Sequence, residues 1–190
     1  MVPDTCLRLR TCLKALDDIV TPALAPDAGF AHEQLALIKK SLQLAIDQIP
    51  YEYVFMVRDA QDHLVLARDL APYVESGGAL EARLAGSAGV IAALLPAALP
   101  DLPELKQRLR TLKQDVEDTV DGLCTDRTGT ELNAIERLVL DHSARRIEME
   151  RAWTIATGFE IDPSAIPPVV ELIYRTADTP AENATPQTRP

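Results

Sequence analysis

The stretch YEYVFMVRDAQDHLVLARDLAPYV, residues 51–74, decides the fold class. Its opening places Tyr51, Tyr53, Phe55 and Val57 at every second position, as a half-buried strand would. A lone strand leaves its backbone donors and acceptors unpaired, and no second convincing strand exists elsewhere in the chain. Residues 51–70 are therefore predicted to be helical, with Val54, Val57, Gln61, Leu64 and Arg68 along one side. Pro50 kinks the chain or begins this helix as its first residue.

Working outward, each neighbouring segment repeats the helical period. Residues 31–49 carry Leu35, Ile38, Leu42, Ala45 and Ile49 as one apolar seam, with Leu37 and Leu44 as a second. Two seams predict two neighbours and a place inside a bundle. Residues 5–20 form a first helix capped by Asp4, ended by the punctuation of Pro22, Pro26 and Gly29. After Gly77 and Gly78, residues 79–95 form a helix rich in Ala and Gly, expected at the crowded centre of the core or at a subunit contact. Uncharged from Leu84 to Pro100, this stretch is still too short and too broken to span a bilayer. A helix beginning near Pro103, capped by Asp101, has the seam Leu105, Leu109, Leu112, Val116, Val120 and Leu123. Thr128 and Glu131 match a capping box at the head of residues 130–156, whose stripe runs Leu132, Ile135, Val139, His142, Arg146, Met149 and Trp153. Gly158 ends it. Residues 166–174 are predicted to dock as a proline-broken hook, and 176–190, rich in Pro, Thr and Ala, to be a disordered tail. The expectation is an all-α bundle of five to seven helices, largely up-and-down, in one domain over residues 1–175.

Composition agrees. Ala and Leu supply 26 residues each, against 8 aromatics and 8 glycines, which disfavours sandwiches and barrels. The net charge of -10 makes the chain a poor ligand for nucleic acid or an anionic membrane. Three cysteines without a CxxC indicate neither a disulfide framework nor a zinc site. Cys12 and Cys124, near apolar seams, read as small buried hydrophobes. Charges at Asp4, Arg8, Arg10 and Lys14 leave no room for a signal peptide, so a reducing cytoplasm is expected.

Chemical motifs are few. No GxGxxG, P-loop, GxSxG or HExxH is present, and no cofactor or metal site is expected. Asp59 and His63, four apart, share a helix face and read as an exposed, weakly paired couple rather than metal ligands. Asp115, Glu117, Asp118 and Asp121 lack the loop of an EF-hand and read as a solvated face. The anomaly is His142 with Arg146, two polar residues on an apolar stripe. Either they line a pocket for an anionic group, or that side swings outward with Arg146 pairing Glu150.

The segment LKALDDIVTPALAPDAGFAHEQLALIKKSLQLAIDQ, residues 13–48, resembles small uncharacterised helical bacterial proteins found near aminoglycoside-phosphotransferase-like kinases and acyl-CoA dehydrogenases. The likeness lies in PAL, then Phe30, Ala31 and His32, then a Leu-rich helix, about the first third of the chain. It implies a bacterial accessory protein linked to acyl or lipid catabolism, and no site residue.

These readings point first to a non-enzymatic helical protein acting as a homodimer or through a partner enzyme. A second reading is a binder of a small amphiphile, acyl or lipid-like, in the bundle core, held by His142, Arg146, Trp153, Tyr51 and Tyr53. A third, an enzyme built on Asp59 and His63, requires the pair to converge in a cleft with a further polar group.

Overall fold

The computed structural model describes residues 4–96 and 101–174, and among them there is no strand. The helices are α1 (Thr5–Ala15), α2 (Gly29–Gln48), α3 (Glu52–Leu70), α4 (Ala79–Leu94), α5 (Leu102–Asp126), α6 (Gly129–Thr154) and α7 (Val169–Tyr174). A π-helical turn, Leu16–Val20, extends α1 toward Pro22. The stretch that could have been a strand is thus a helix. The expected tail at 176–190 lies outside the described residues.

Helices α3 to α6 make the bundle. Leu105, Leu109 and Leu112 on α5 are buried against Ala60, Leu64 and Leu70 on α3 and against Ile91 on α4. Full burial of each such leucine contributes about 1.5–3 kcal/mol. Three cross-links keep α3, α5 and the residues just after them in one register: Glu52 with Lys106, Asp59 with Lys113, and, past both helix ends, the Tyr73 carbonyl with Arg127. The sequence offset is constant, so the two helices run parallel. Arg83 on α4 holds Asp115 and Asp118 at 2.6 Å each, and Leu80 approaches to 3.1 Å of where a Cβ on Gly122 would stand. Those pairs run in opposite order along α4 and α5, as do His63 with Arg146 and Phe55 with Trp153 between α3 and α6. The topology is therefore up-down-up-down, with α4 and α6 flanking the α3–α5 pair.

Asp101 caps α5 by accepting the Glu104 N–H at 3.2 Å. Thr128 precedes α6 but makes no side-chain cap, so the expected capping box is absent. Gly158 ends the turn after α6 with φ 78°, a conformation that favours glycine. The hook docks on its own bundle: Ile166 and Leu172 pack with Ala152, and Ile173 packs with Phe55 and Met149. Its last part is a helical turn rather than irregular chain.

Several expectations are overturned. On α3, Gln61 and Arg68 are exposed, and the buried row is Phe55, Asp59, His63, Leu66 and Leu70. Helix α4 is not central. Only Leu84 and Ile91 are buried, while Ala82, Ala85, Gly86, Gly89, Val90 and Ala93 face outward. Nor does α2 lie inside the bundle. It pairs with α1 and touches the turn Ile155–Thr157, so it forms a hairpin against one end of α6. Leu35 and Ile46 are its buried positions, leaving Leu37 and Ile38 exposed. Cys6 is the buried cysteine, and Cys12 and Cys124 are exposed.

Candidate functional site

Three helices supply a polar cleft. The α3 face that carries Leu66 also carries Asp59 and His63, and the α6 stripe that carries Val139 also carries His142 and Arg146. Helix α5 closes the third side with Lys113, Glu117 and Asp121, one turn apart. The cavity they bound has a volume of about 420 Å³. That is within the range of small-ligand sites, roughly 300–1,000 Å³.

Contrary to the exposed couple expected, Asp59 and His63 are 5% and 3% exposed. Lys113 Nζ donates to Asp59 Oδ2 at 2.6 Å. His63 Nδ1 lies 2.8 Å from the Asp59 carbonyl and 3.0 Å from Oδ1, and its proton aligns with the carbonyl. On the other side of the ring, Arg146 Nη1 donates to His63 Nε2 at 3.3 Å. A guanidinium only donates, so in this contact Nε2 is the acceptor and Nδ1 is the ring atom that donates toward Asp59. Burial would raise the Asp59 pKa, but His63 and Lys113 hold the carboxylate down to about 2.

His142 is 5% exposed and meets His63 edge to face, with ring centroids 4.7 Å apart. Its Nε2 is buried and has no hydrogen-bond partner among the described residues. Burial first, and then the nearby Arg145 and Arg146 guanidiniums, lower its pKa to about 4. The imidazole is therefore neutral near pH 7. Arg146 also donates from Nε to Glu150 at 2.7 Å, the i,i+4 pair anticipated in the sequence. The two accounts of this stripe thus coexist: Arg146 pairs outward, and both residues line a cavity.

The other three candidates lie elsewhere. Trp153 stacks on Phe55 at 4.1 Å and 27° and packs with Tyr51 near Met149 and Ile173. Tyr51 and Trp153 line a separate crevice of about 420 Å³ at the junction with the α1–α2 hairpin. Tyr53 does not line the polar cleft. The structure thus joins His142 and Arg146 but separates them from the aromatic set. It adds His63 and Lys113, and also Glu117 and Asp121 from a cluster read as one solvated face. That cluster is split, since Asp115 and Asp118 turn to Arg83. The signal for Asp59 was its spacing of four from both Phe55 and His63, but only a neighbouring cation identifies it as buried.

No group of three or more His, Cys, Asp and Glu suited to a metal ion occurs among the described residues. Nor is any described helix long and apolar enough to cross a membrane. His63 and Asp59 converge with Arg146 and Lys113, as an acid–base site would require. Both ring nitrogens of His63 are engaged by protein groups, so the ring holds Asp59 and Arg146 in place on the cleft wall. No family model, curated protein or solved structure matches the chain.

Proposed function

We propose that the protein is a non-enzymatic helical binding protein whose ligand occupies the cleft between α3, α5 and α6. One observation carries this reading: the His142 imidazole is nine-tenths buried on the cleft wall with Nε2 unpartnered. An unsatisfied buried polar group costs about 1–3 kcal/mol. No described residue satisfies it, and a small turn of the ring toward the cleft would bring Nε2 to a polar ligand there. Between bundle interior and cleft, the geometry favours the cleft, because Leu105, Leu109, Leu112 and Ile135 already fill the interior. Imidazole ¹⁵N NMR tests the reading against a panel of small acids, amines and amino acids. A true ligand moves the His142 resonance and leaves that of His32, which sits on the distant α2, in place. If no compound moves His142, or if His32 moves with it, the proposal is wrong.

A second reading concerns self-association. Ile19, Phe30, Leu37 and Ile38 on the α1–α2 hairpin are each more than half exposed, an apolar set that one subunit leaves uncovered. A homodimer through this hairpin would cover it. The segment resembling the bacterial proteins near acyl-CoA dehydrogenases forms the same hairpin, so a partner enzyme would be met there as well.

A further inference from the structure

The cleft is polarised, and its unused groups are of opposite sign. On the α6 wall, Arg146 commits Nε to Glu150 and one Nη1 proton to His63, leaving the rest of its guanidinium fork available. His142 Nε2 lies beside it without a partner. On the α5 wall, the Lys113 charge is neutralised by Asp59. Glu117 and Asp121 form no ion pair among the described residues. The walls do not satisfy each other, because the acid that Arg146 pairs with is Glu150, outside the cleft.

Resting on that reading of the cleft, we infer that its ligand is a small zwitterion with a carboxylate at one end and an ammonium at the other. The carboxylate accepts from the free edge of Arg146 and from His142, and the ammonium lies between Glu117 and Asp121. A simple anion gains Arg146 but meets two unpaired carboxylates across the cleft. A simple cation gains those carboxylates but meets Arg146. Only a ligand with both charges is attracted by both walls. Arg146 makes no direct ion pair with Glu117 or Asp121, so the ligand's charges are set apart by a short chain, as in an ω-amino acid, rather than carried on one carbon.

The test uses the full chain and the same His142 resonance. Glycine, 4-aminobutyrate and 6-aminohexanoate are titrated at pH 7, each long probe beside its matched acid (butyrate, hexanoate) and amine (butylamine, hexylamine). One ω-amino acid is expected to bind at least tenfold more tightly than both its matched acid and its matched amine, and more tightly than glycine. The double variant Glu117→Gln, Asp121→Asn should reduce it to the level of the acid. Arg146→Met should reduce it to the level of the amine. Both acids are exposed and unpaired, so the double variant should melt as the parent does. If matched acids move His142 as effectively as the amino acids, the zwitterion is wrong while the binding cleft stands. An affinity unchanged by the double variant overturns the assignment of the ammonium wall. If none of the probes moves His142, the zwitterion inference is overturned. If the wider panel of acids, amines and amino acids is silent as well, the cleft reading fails with it.

Discussion

His142 makes the cleft measurable by pH. Its pKa is lowered to about 4 in the fold, whereas an unfolded histidine titrates near 6.5. Between those values the unfolded chain binds the proton and the native chain does not, so stability falls as pH drops from about 6.5 to 4. The shift corresponds to about 3 kcal/mol. Urea unfolding at pH 7.5 and 4.5 should therefore show a loss about 2–3 kcal/mol larger in the parent than in His142→Leu. Asp59 acts in a lower window. Its depressed pKa contributes stability that is present above about 4 and lost as pH falls toward about 2. Lys113→Met leaves Asp59 buried with its principal cation gone and should cost about 2–3 kcal/mol, a figure reduced because the lysine is partly exposed. Arg146→Met leaves no carboxylate stranded inside, since Glu150 is exposed, but it removes the donor to the buried His63 Nε2 and should cost about 1–3 kcal/mol. It should also raise the His142 pKa by removing a nearby cation, which imidazole NMR reads directly. Of this chemistry, the helical spacing of His142 and Arg146 was legible in the sequence. The burial of Asp59 and His63 was not, because it depends on Lys113 arriving from a helix 54 residues away.

At the scale of the element, apolar period identified each long helix but not its neighbours. The seam of α5 is uninterrupted from Leu105 to Leu123, and the structure buries all of it but Val120, which is half-buried at the cleft. The seams of α2 are as regular, yet of their residues only Leu35 is buried, and Ile46, the other buried position, belongs to neither seam. Periodicity reports that a face is apolar; what covers the face is a tertiary fact. Helix α4 shows the same limit: with Ala and Gly on almost every side, its pattern could not indicate which side turns inward. The hook was legible because Val169, Val170, Leu172 and Ile173 form an apolar run behind two prolines; Leu172 and Ile173 are buried, whereas Val170 stays exposed. Ile173→Ala and Leu172→Ala should each cost about 2–4 kcal/mol, and each kcal/mol lowers Tm by roughly 2–4 °C at this chain length. Calorimetry on the two variants checks this, and a Tm within a degree of the parent would show that the hook adds nothing.

Across the whole molecule, charge is unevenly spread. The chain carries a net charge of -10, yet the hairpin segment balances Arg8, Arg10, Lys14, Lys39 and Lys40 against Asp4, Asp17, Asp18, Asp27, Glu33 and Asp47. Two copies meeting through their hairpins would keep the acidic bundles apart, which is the arrangement that self-repulsion favours. Light scattering should give twice 20.8 kDa at micromolar concentration. Leu37→Glu combined with Ile38→Glu should return the mass to that of one chain without unfolding it, because both side chains are exposed. A parent protein already at the mass of one chain would exclude the dimer.

The seat of that hairpin also sets a timetable. Helix α2 rests on the turn Ile155–Thr157, and the Gln48 amide donates to the Trp153 carbonyl. During synthesis the hairpin is complete about a hundred residues before its seat exists. At ribosomal speeds of about 5–20 residues per second, it waits roughly 5–20 s with its greasy side uncovered. Through that interval the nascent chain presents Leu44 and Ile46, which come to line the junction with Trp153, Ile155 and Ala156, to whatever binds emerging polypeptides, and only the arrival of residue 157 lets the hairpin settle.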